Sequence, residues 1–179
     1  MKFKYCPICG TKLEEKYSWD EGKVPFCPVD NIMYFDTPKP CIIVAILKGD
    51  KILLLKQSYI FKDSKVLLSG YVNNGETVEE TVHREVLEEA GLKIKNLKYL
   101  GSECLESKEI IMLTFMAEYE SGEINKSPEV EWVDWSNIED ALCEMNEDKI
   151  GKKIVKKVLK EIGYNGEKAY RCESDNSNA

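Results

Sequence analysis

A chain of 179 residues is long enough for one medium-sized domain with a short appendage. Its content of 43% hydrophobic and 32% charged residues is ordinary for a soluble globular protein. The net charge of −7 argues against loose, charge-driven binding to nucleic acid or anionic membranes, so nucleic acid is not an expected partner.

The cysteine count and the hydropathy bear on location. Seven cysteines are present, no secretory leader is recognisable, and no apolar run has the length of a membrane span. This pattern is typical of thiols that stay reduced or bind metal in the cytosol. We therefore expect a cytoplasmic protein without a membrane partner.

The first 37 residues contain two half-motifs for a metal ion. Cys6 and Cys9 precede Gly10, which permits the tight turn that directs backbone amides at sulfur. After 17 residues Cys27 and Asp30 repeat the spacing, with Asp in the place of a fourth Cys. Two interpretations stay open: a structural Zn²⁺ held by Cys6, Cys9, Cys27 and Asp30, or a ribbon with weak or no metal.

A linker over residues 34–40, with two prolines, leads to a series of predicted strands. Residues 41–47 (CIIVAIL) are continuously apolar, as in a strand covered on both faces. A turn at 48–50 returns the chain through 51–57 (KILLLKQ). Later strands are predicted at residues 97–105, 110–119 and 129–135.

One helix is predicted between a capping box, Thr77 with Glu80, and an end signal, Gly91. At about 100° per residue its core side carries Val82, Val86 and Ala90. A separate arc, here called the acidic edge, carries Glu85, Glu88 and Glu89. Like charges at this spacing repel, and two interpretations follow: the acidic edge binds divalent cations, or it is a solvated surface. Arg84 can pair with Glu80 or Glu88, one turn away.

Two more helices are predicted near the C-terminus. Ser136 with Glu139 is a second capping box that opens a helix to about residue 145. Residues 149–162 are amphipathic, with Ile150, Ile154, Val155, Val158, Leu159 and Ile162 facing inward. Five lysines on the other side predict a solvated basic surface, with a polyanion-binding patch as the alternative. The tail 166–179 is expected to be disordered.

The segment from Gly70 to Leu92 matches a known pattern in full. Gly70, Glu76 and the run 84–92 (REVLEEAGL) fit G-x5-E-x7-R-E-U-x-E-E-x-G-U, where U is aliphatic. Nine specified positions at fixed spacing make a chance match improbable. The chain thus resembles Nudix hydrolases, in which this box forms a loop–helix–loop that binds metal. The resemblance implies an α+β fold, an α/β/α sandwich with a mixed sheet, over residues 38–165. The segment 1–37 is similar to the zinc ribbon of NADH pyrophosphatase-like members.

Roles for individual residues follow from the resemblance alone. It implies Mg²⁺ or Mn²⁺ held by the carboxylates of Glu85, Glu88 and Glu89 and by the backbone carbonyl of Gly70. Arg84 is implied to hold these carboxylates in place, and Glu76 to be structural. Outside the box, Glu129 is expected as a further ligand or general base, in preference to Glu131.

The implied reaction is Mg²⁺-dependent cleavage of a diphosphate linkage in a nucleoside diphosphate derivative: a dinucleotide, a nucleotide sugar or a nucleoside triphosphate. Residues 102–107 retain none of the Pro or aromatic residues of the S-Q-P-W-P-F-P-x-S signature of NADH pyrophosphatases, so we expect no NADH specificity. Tyr59, Phe61 and Tyr71 are candidates to stack a base. The alternative is a non-catalytic module that senses a nucleotide such as ADP-ribose. A homodimer is an open option.

Overall fold

The computed structural model describes residues 3–57, 61–105, 108–164 and 166. The expected tail beyond Gly166 and the stacking candidate Tyr59 lie outside these ranges. Within them, no helix is both long and apolar enough to cross a membrane. In chain order the elements are β1 (Glu14–Ser18), β2 (Gly22–Cys27), β3 (Ile32–Met33), β4 (Lys39–Lys48), β5 (Lys51–Lys56), β6 (Leu68–Tyr71), α1 (Val78–Ala90), β7 (Lys93–Leu105), β8 (Ile110–Ser121), β9 (Trp132–Asn137), α2 (Ala141–Glu144) and α3 (Lys149–Glu161).

Strand β4 is the centre of the larger sheet. Residues 41–47 are all buried, as their continuous apolar run predicts. β4 pairs in parallel with β8 and antiparallel with β5 and β6, so the sheet is mixed. The strand order is β7-β8-β4-β5-β9, with β6 beside the first half of β4.

Helices cover both faces of this sheet. Successive side chains of a strand point to opposite sides, and β4 divides its residues accordingly. Ile42, Val44 and Ile46 belong to the core cluster that includes α1, whereas Ile43, Ala45 and Leu47 belong to the one that includes α2 and α3. The α+β class and the α/β/α sandwich with a mixed sheet are therefore confirmed.

The N-terminal strands form a separate antiparallel sheet in the order β1-β2-β3. Among residues 3–37, the buried hydrophobic side chains are Val24 of this sheet and the cysteines Cys6 and Cys27. So few buried groups cannot form an independent core, which agrees with the ribbon-like segment that the sequence predicts.

The predicted capping box at Ser136 is wrong. Strand β9 continues through this residue, which is buried and pairs with Ile52 of β5. Six residue pairs with β5 outweigh the local cap signal. Instead of capping a helix, the Ser136 hydroxyl accepts a hydrogen bond from Lys65 Nζ at 3.2 Å. Helix α2 has only four residues and follows Asp140.

Two smaller differences concern element ends. Strand β7 begins at Lys93, just after α1, and not at residue 97. Ile162 follows the last residue of α3 and is 44% exposed, so it is not part of the inward face. The other predicted inward positions are buried or half-buried: Ile150, Ile154, Val155, Val158 and Leu159.

Candidate active site

Helix α1 begins and ends at its predicted caps. The Thr77 hydroxyl accepts from the Glu80 amide at 3.2 Å, and the Glu80 carboxylate accepts from the Thr77 amide at 2.8 Å. Gly91 adopts the left-handed conformation, with φ of +72°. The predicted core side, Val82, Val86 and Ala90, is buried, so the acidic edge lies on a different side of the helix. Because Glu80 serves the cap, its suggested pairing with Arg84 does not form.

Arg84 is the centre of a charged network beside the acidic edge. Its Nε and Nη2 donate to the two carboxylate oxygens of Glu76, at 2.6 and 3.1 Å. Its Nη1 donates to Glu85 Oε1 at 2.8 Å and to Glu88 Oε2 at 2.9 Å. Nη2 also reaches the Tyr71 carbonyl at 3.1 Å. One guanidinium therefore ties the loop before α1 to two carboxylates on the helix.

These contacts shift the ionisation of the groups involved. The hydrogen bonds from Arg84 lower the pKa of Glu76 to about 2. In return, the carboxylates of Glu76, Glu88 and Glu85 raise the pKa of Arg84. Burial raises the pKa of Glu85, although Arg84 opposes the shift. Arg84 thus stabilises the charge of Glu76 most strongly.

Glu89 has a different environment from its neighbours. Burial, and next the negative charge of Glu85, raise its pKa to about 7. Its Oε1 accepts a hydrogen bond from Gln57 Nε2 at 3.3 Å. Its Oε2 is buried and has no hydrogen-bond partner in the described part of the chain. A buried carboxylate oxygen without a partner is costly, so this atom marks a place where a cation would be stabilising.

Gly70, in β6, lies directly against Glu85. A Cβ built on this glycine would be 2.0 Å from Glu85 Cδ and 2.1 Å from Oε1, so any larger residue would displace the carboxylate. β6 pairs with the first half of β4, with Gly70 opposite Ile42. The sheet therefore fixes the backbone of Gly70 against the acidic edge.

Glu129 lies in a turn ahead of β9 and not in a strand as predicted. The turn closes through the Val130 amide, which donates to the Ser127 carbonyl at 3.2 Å. The Glu129 side chain is exposed, and its charge helps to raise the pKa of Glu89. The fold thus brings Glu129 near the acidic edge, and its role as ligand or base stays a prediction.

The chemistry of these donors fits a hard divalent cation. Carboxylate oxygens are the ligands that Mg²⁺ and Mn²⁺ prefer. The single guanidinium is shared among three carboxylates, and Glu89 forms no ion pair in the described residues. Glu85, Glu88 and Glu89, with Gly70 beside them, are the residues that could hold the ion.

Gln57 is the residue that sequence reasoning missed. It follows β5 directly, is 4% exposed, and contacts Glu89 from outside the box. In the sequence Gln57 is the second of two polar residues, after Lys56, that follow the apolar run 52–55, and this position indicates only the end of a strand.

The remaining candidates lie as follows. Phe61 packs against the core cluster beneath α1, whereas Tyr71 is 52% exposed beside the network. Tyr71 therefore stays available as a stacking surface. On α3, Lys153 and Lys157 both pair with Glu103 of β7, at 3.3 and 3.1 Å, so part of the predicted basic surface is neutralised.

The four residues of the N-terminal half-motifs converge. The ligand atoms of Cys6, Cys9, Cys27 and Asp30 all lie within 4.8 Å of one another. Amides of both turns point at sulfur: Ile8 N lies 3.4 Å from Cys6 Sγ, and Asp30 N lies 3.3 Å from Cys27 Sγ. Three thiols and a carboxylate at this spacing could hold a four-coordinate metal ion.

Comparison with known proteins agrees with this geometry. Residues 37–159 match the family model described as the NUDIX domain. The chain belongs to the Nudix family. The resemblance expected from the box is therefore confirmed, and the acidic edge coincides with the Nudix motif.

Curated relatives share a common name. The chain is 37% identical over 138 residues to the NAD-capped RNA hydrolase NudC of Pseudomonas syringae, covering 76% of this chain and 49% of that protein. It is 40% identical over 126 residues to the NudC of Escherichia coli O1:K1, covering 70% and 48%. The Nudix chain described here thus spans about half the length of these relatives.

Solved structures show the same Nudix fold. A NUDIX hydrolase from Nitrosomonas europaea superposes with a TM-score of 0.76 and 19% identity, covering 91% of this chain and 94% of that one. A UDP-X diphosphatase gives a TM-score of 0.61 at 24% identity, covering 74% and 67%.

Proposed function

We propose that the chain is a divalent-metal-dependent pyrophosphohydrolase that cleaves the diphosphate linkage of a dinucleotide. The observation that carries this proposal is the buried second oxygen of Glu89, which has no partner in the described residues and lies on the same helical edge as Glu85 and Glu88. Such an arrangement is unfavourable for the charged form of Glu89 unless a cation binds there.

The residues have distinct roles in this proposal. Glu85 and Glu89 bind the ion, and Glu88 binds it directly or through water. Arg84 holds Glu85 and Glu88 in place and is itself fixed by Glu76. When bound, the ion would shield the diphosphate oxygens and acidify water.

The dinucleotide class is supported by the relatives, whose names specify NAD-capped RNA. NAD joins two nucleotides through a diphosphate, and in an NAD-capped RNA the same diphosphate joins nicotinamide mononucleotide to the 5′-terminal adenosine nucleotide of the RNA. The net charge of −7 disfavours broad RNA binding. We therefore propose free or RNA-attached dinucleotides as the substrate class, with recognition centred on the diphosphate.

A substrate panel tests the proposal. NAD⁺, NADH, ADP-ribose, UDP-glucose and ATP, and one RNA carrying either a 5′ NAD cap or a 5′ triphosphate, would each be incubated with Mg²⁺, Mn²⁺ or EDTA. We expect metal-dependent release of mononucleotides from NAD⁺ or NADH, or of 5′-monophosphate RNA from the capped RNA.

A variant pair ties the activity to the acidic edge. Glu89→Gln should lower turnover by about 100-fold or more, because it removes a metal-binding oxygen. Circular dichroism should show that the variant keeps its fold. Glu79→Gln, on an exposed position of the same helix, should leave turnover unchanged. Tight nucleotide binding without cleavage of any substrate would instead support the sensing module.

A further inference from the structure

The end of strand β5 places a buried amide side chain against the acidic edge. Gln57 is 4% exposed, and its Nε2 donates to Glu89 Oε1 at 3.3 Å. Burying an amide is unfavourable unless its polar atoms are hydrogen-bonded. Lys56 before it is only half-buried, whereas the amide of Gln57 is buried, so the polar group at position 57 needs a specific explanation.

The backbone of Gln57 does not supply that explanation. Its carbonyl accepts a hydrogen bond from the Phe61 amide at 3.2 Å, and any residue could provide this contact. The side chain contributes something separate, namely a neutral donor to one oxygen of Glu89. Side-chain and backbone contributions can therefore be distinguished by substitution.

A neutral donor has a particular effect on a metal-binding carboxylate. Arg84 orients Glu85 and Glu88 but also offsets their charge. Gln57 restricts the rotation of the Glu89 carboxylate and leaves its negative charge in place. With Oε1 engaged, Oε2 is left buried and without a partner among the described residues.

We propose that Gln57 is a positioning residue that holds Glu89 so that its second oxygen faces the divalent ion. This inference rests on the proposed function, because it assumes that the acidic edge binds the ion. It adds a residue outside the Nudix box to the machinery that prepares the site. Partners that orient metal ligands typically contribute 10- to 100-fold to metal affinity.

The first test measures Mn²⁺ binding to the full chain without substrate. Gln57→Met keeps an unbranched side chain of similar size and removes the donor. We expect it to raise the Mn²⁺ dissociation constant about 10-fold, measured from the electron paramagnetic resonance signal of free Mn²⁺. An unchanged constant in the folded variant would overturn the proposal.

A matched control removes a buried hydrogen bond elsewhere. The Thr114 hydroxyl, on β8, is fully buried and donates to the Gly101 carbonyl at 2.7 Å. Thr114→Val should lower the melting temperature, as any lost buried hydrogen bond would, and leave Mn²⁺ affinity unchanged. A similar loss of Mn²⁺ affinity in this control would show that Gln57 acts through general stability and would also overturn the proposal.

The second test uses the wild-type protein and does not depend on the variant folding. Gln57 is the only glutamine in the sequence, so ¹⁵N labelling of the glutamine side-chain amide gives a single ¹⁵N resonance, which reports on this position alone. Mn²⁺ should broaden the signal beyond detection at stoichiometric amounts, and Mg²⁺ should shift it. A sharp, unshifted signal with the metal bound would contradict the role of Gln57 while the proposed function stands. Failure of the wild-type chain to bind either ion would reject both.

Discussion

Glu76 and Arg84 form a bidentate ion pair that links the loop before α1 to the helix. The pKa of Glu76 is lowered to about 2 by this pairing. A carboxylate with a depressed pKa stabilises the folded state fully above its unfolded value of about 4.3, and it loses this contribution as the pH falls towards 2. The loss of this ion pair should therefore contribute to the fall in the free energy of unfolding at acid pH.

Glu76→Gln should lower the free energy of unfolding by a constant amount between about pH 7 and pH 5. The difference from wild type should shrink progressively below about pH 4.5 and be lost only below about pH 2, where the wild-type carboxyl becomes protonated in the folded state as well. Urea unfolding over this pH range, in buffer with EDTA, would measure it. A difference that does not change with pH would show that the ion pair is not its source.

Gly70→Ala should weaken metal binding, because the added methyl group would lie 2.0 Å from Glu85 Cδ. We expect at least a 10-fold rise in the Mn²⁺ dissociation constant, measured by titration calorimetry. Ser69→Ala, one position earlier on the same strand, is the control and should bind Mn²⁺ as wild type does. Equal affinity in Gly70→Ala would show that Glu85 can move aside without cost.

Among single residues, the sequence was sufficient to predict those members of the candidate site that lie close together along one helix. The acidic edge and Arg84 belong to one helical segment, so their positions follow from the helical period. Gln57 could not be found in this way. Its contact with Glu89 joins residues 32 positions apart and exists only once β5 packs beside α1.

At the scale of elements, the segment after β8 is attached to the end of α1. The Asn125 amide donates to the Ala90 carbonyl at 2.9 Å, and the Ser127 amide to the Glu89 carbonyl at 3.3 Å. These bonds satisfy carbonyls that a helix end leaves free. Two residues further on, the same segment carries Glu129, so its attachment sets the position of this carboxylate.

Gly122→Ala should disturb that attachment. Gly122 has a φ of +105°, and a Cβ there would be 2.7 Å from the Gly91 carbonyl oxygen. Gly49→Ala is the matched control, since Gly49 also has a positive φ, +63°, but open space around it. Both should lose about 1 kcal/mol of stability from backbone strain.

Only Gly122→Ala should also reduce metal-dependent turnover, by roughly 10-fold, since a small misplacement of a catalytic group has effects of this order. Turnover and melting temperature measured on both variants would separate the two effects. Equal turnover in Gly122→Ala and Gly49→Ala would mean that the attachment of the segment does not position the site.

Elements were predictable from the sequence where local signals agree with the tertiary structure. Helix α1 has both caps and a clear core side, and all three hold in the fold. Ser136 has an equally valid cap signal, but pairing of β9 with β5 requires an extended backbone at that residue. A local motif cannot register the free energy of a strand pairing with a partner more than 80 residues away.

At the scale of the whole molecule, two sheets of very different size share one chain. The larger sheet has two helix-covered faces, whereas the N-terminal one buries few apolar side chains and lies beside the cluster of Cys6, Cys9, Cys27 and Asp30. The two should therefore respond differently to metal removal.

We expect about one equivalent of zinc in the purified protein, measured by elemental analysis. Removing it with a strong chelator should speed amide hydrogen exchange in residues 3–37 and leave the exchange of β4 unchanged. Asp30→Cys should retain zinc against higher chelator concentrations than wild type, because thiolate binds Zn²⁺ more strongly. Less than a tenth of an equivalent of zinc would reject the assignment.

The parallel pairing of β4 with β8 has a consequence for synthesis on the ribosome. Lys39 pairs with Ile110 and Leu47 with Glu118, so one side of β4 has no neighbour until about 120 residues have been made and have left the exit tunnel. β5 and β6 can dock on the other side much earlier. During that interval a fully apolar strand has an open edge, which is a template for intermolecular pairing. The nascent chain is thus most exposed to aggregation, and most dependent on chaperones, between the emergence of β4 from the exit tunnel and the emergence of β8.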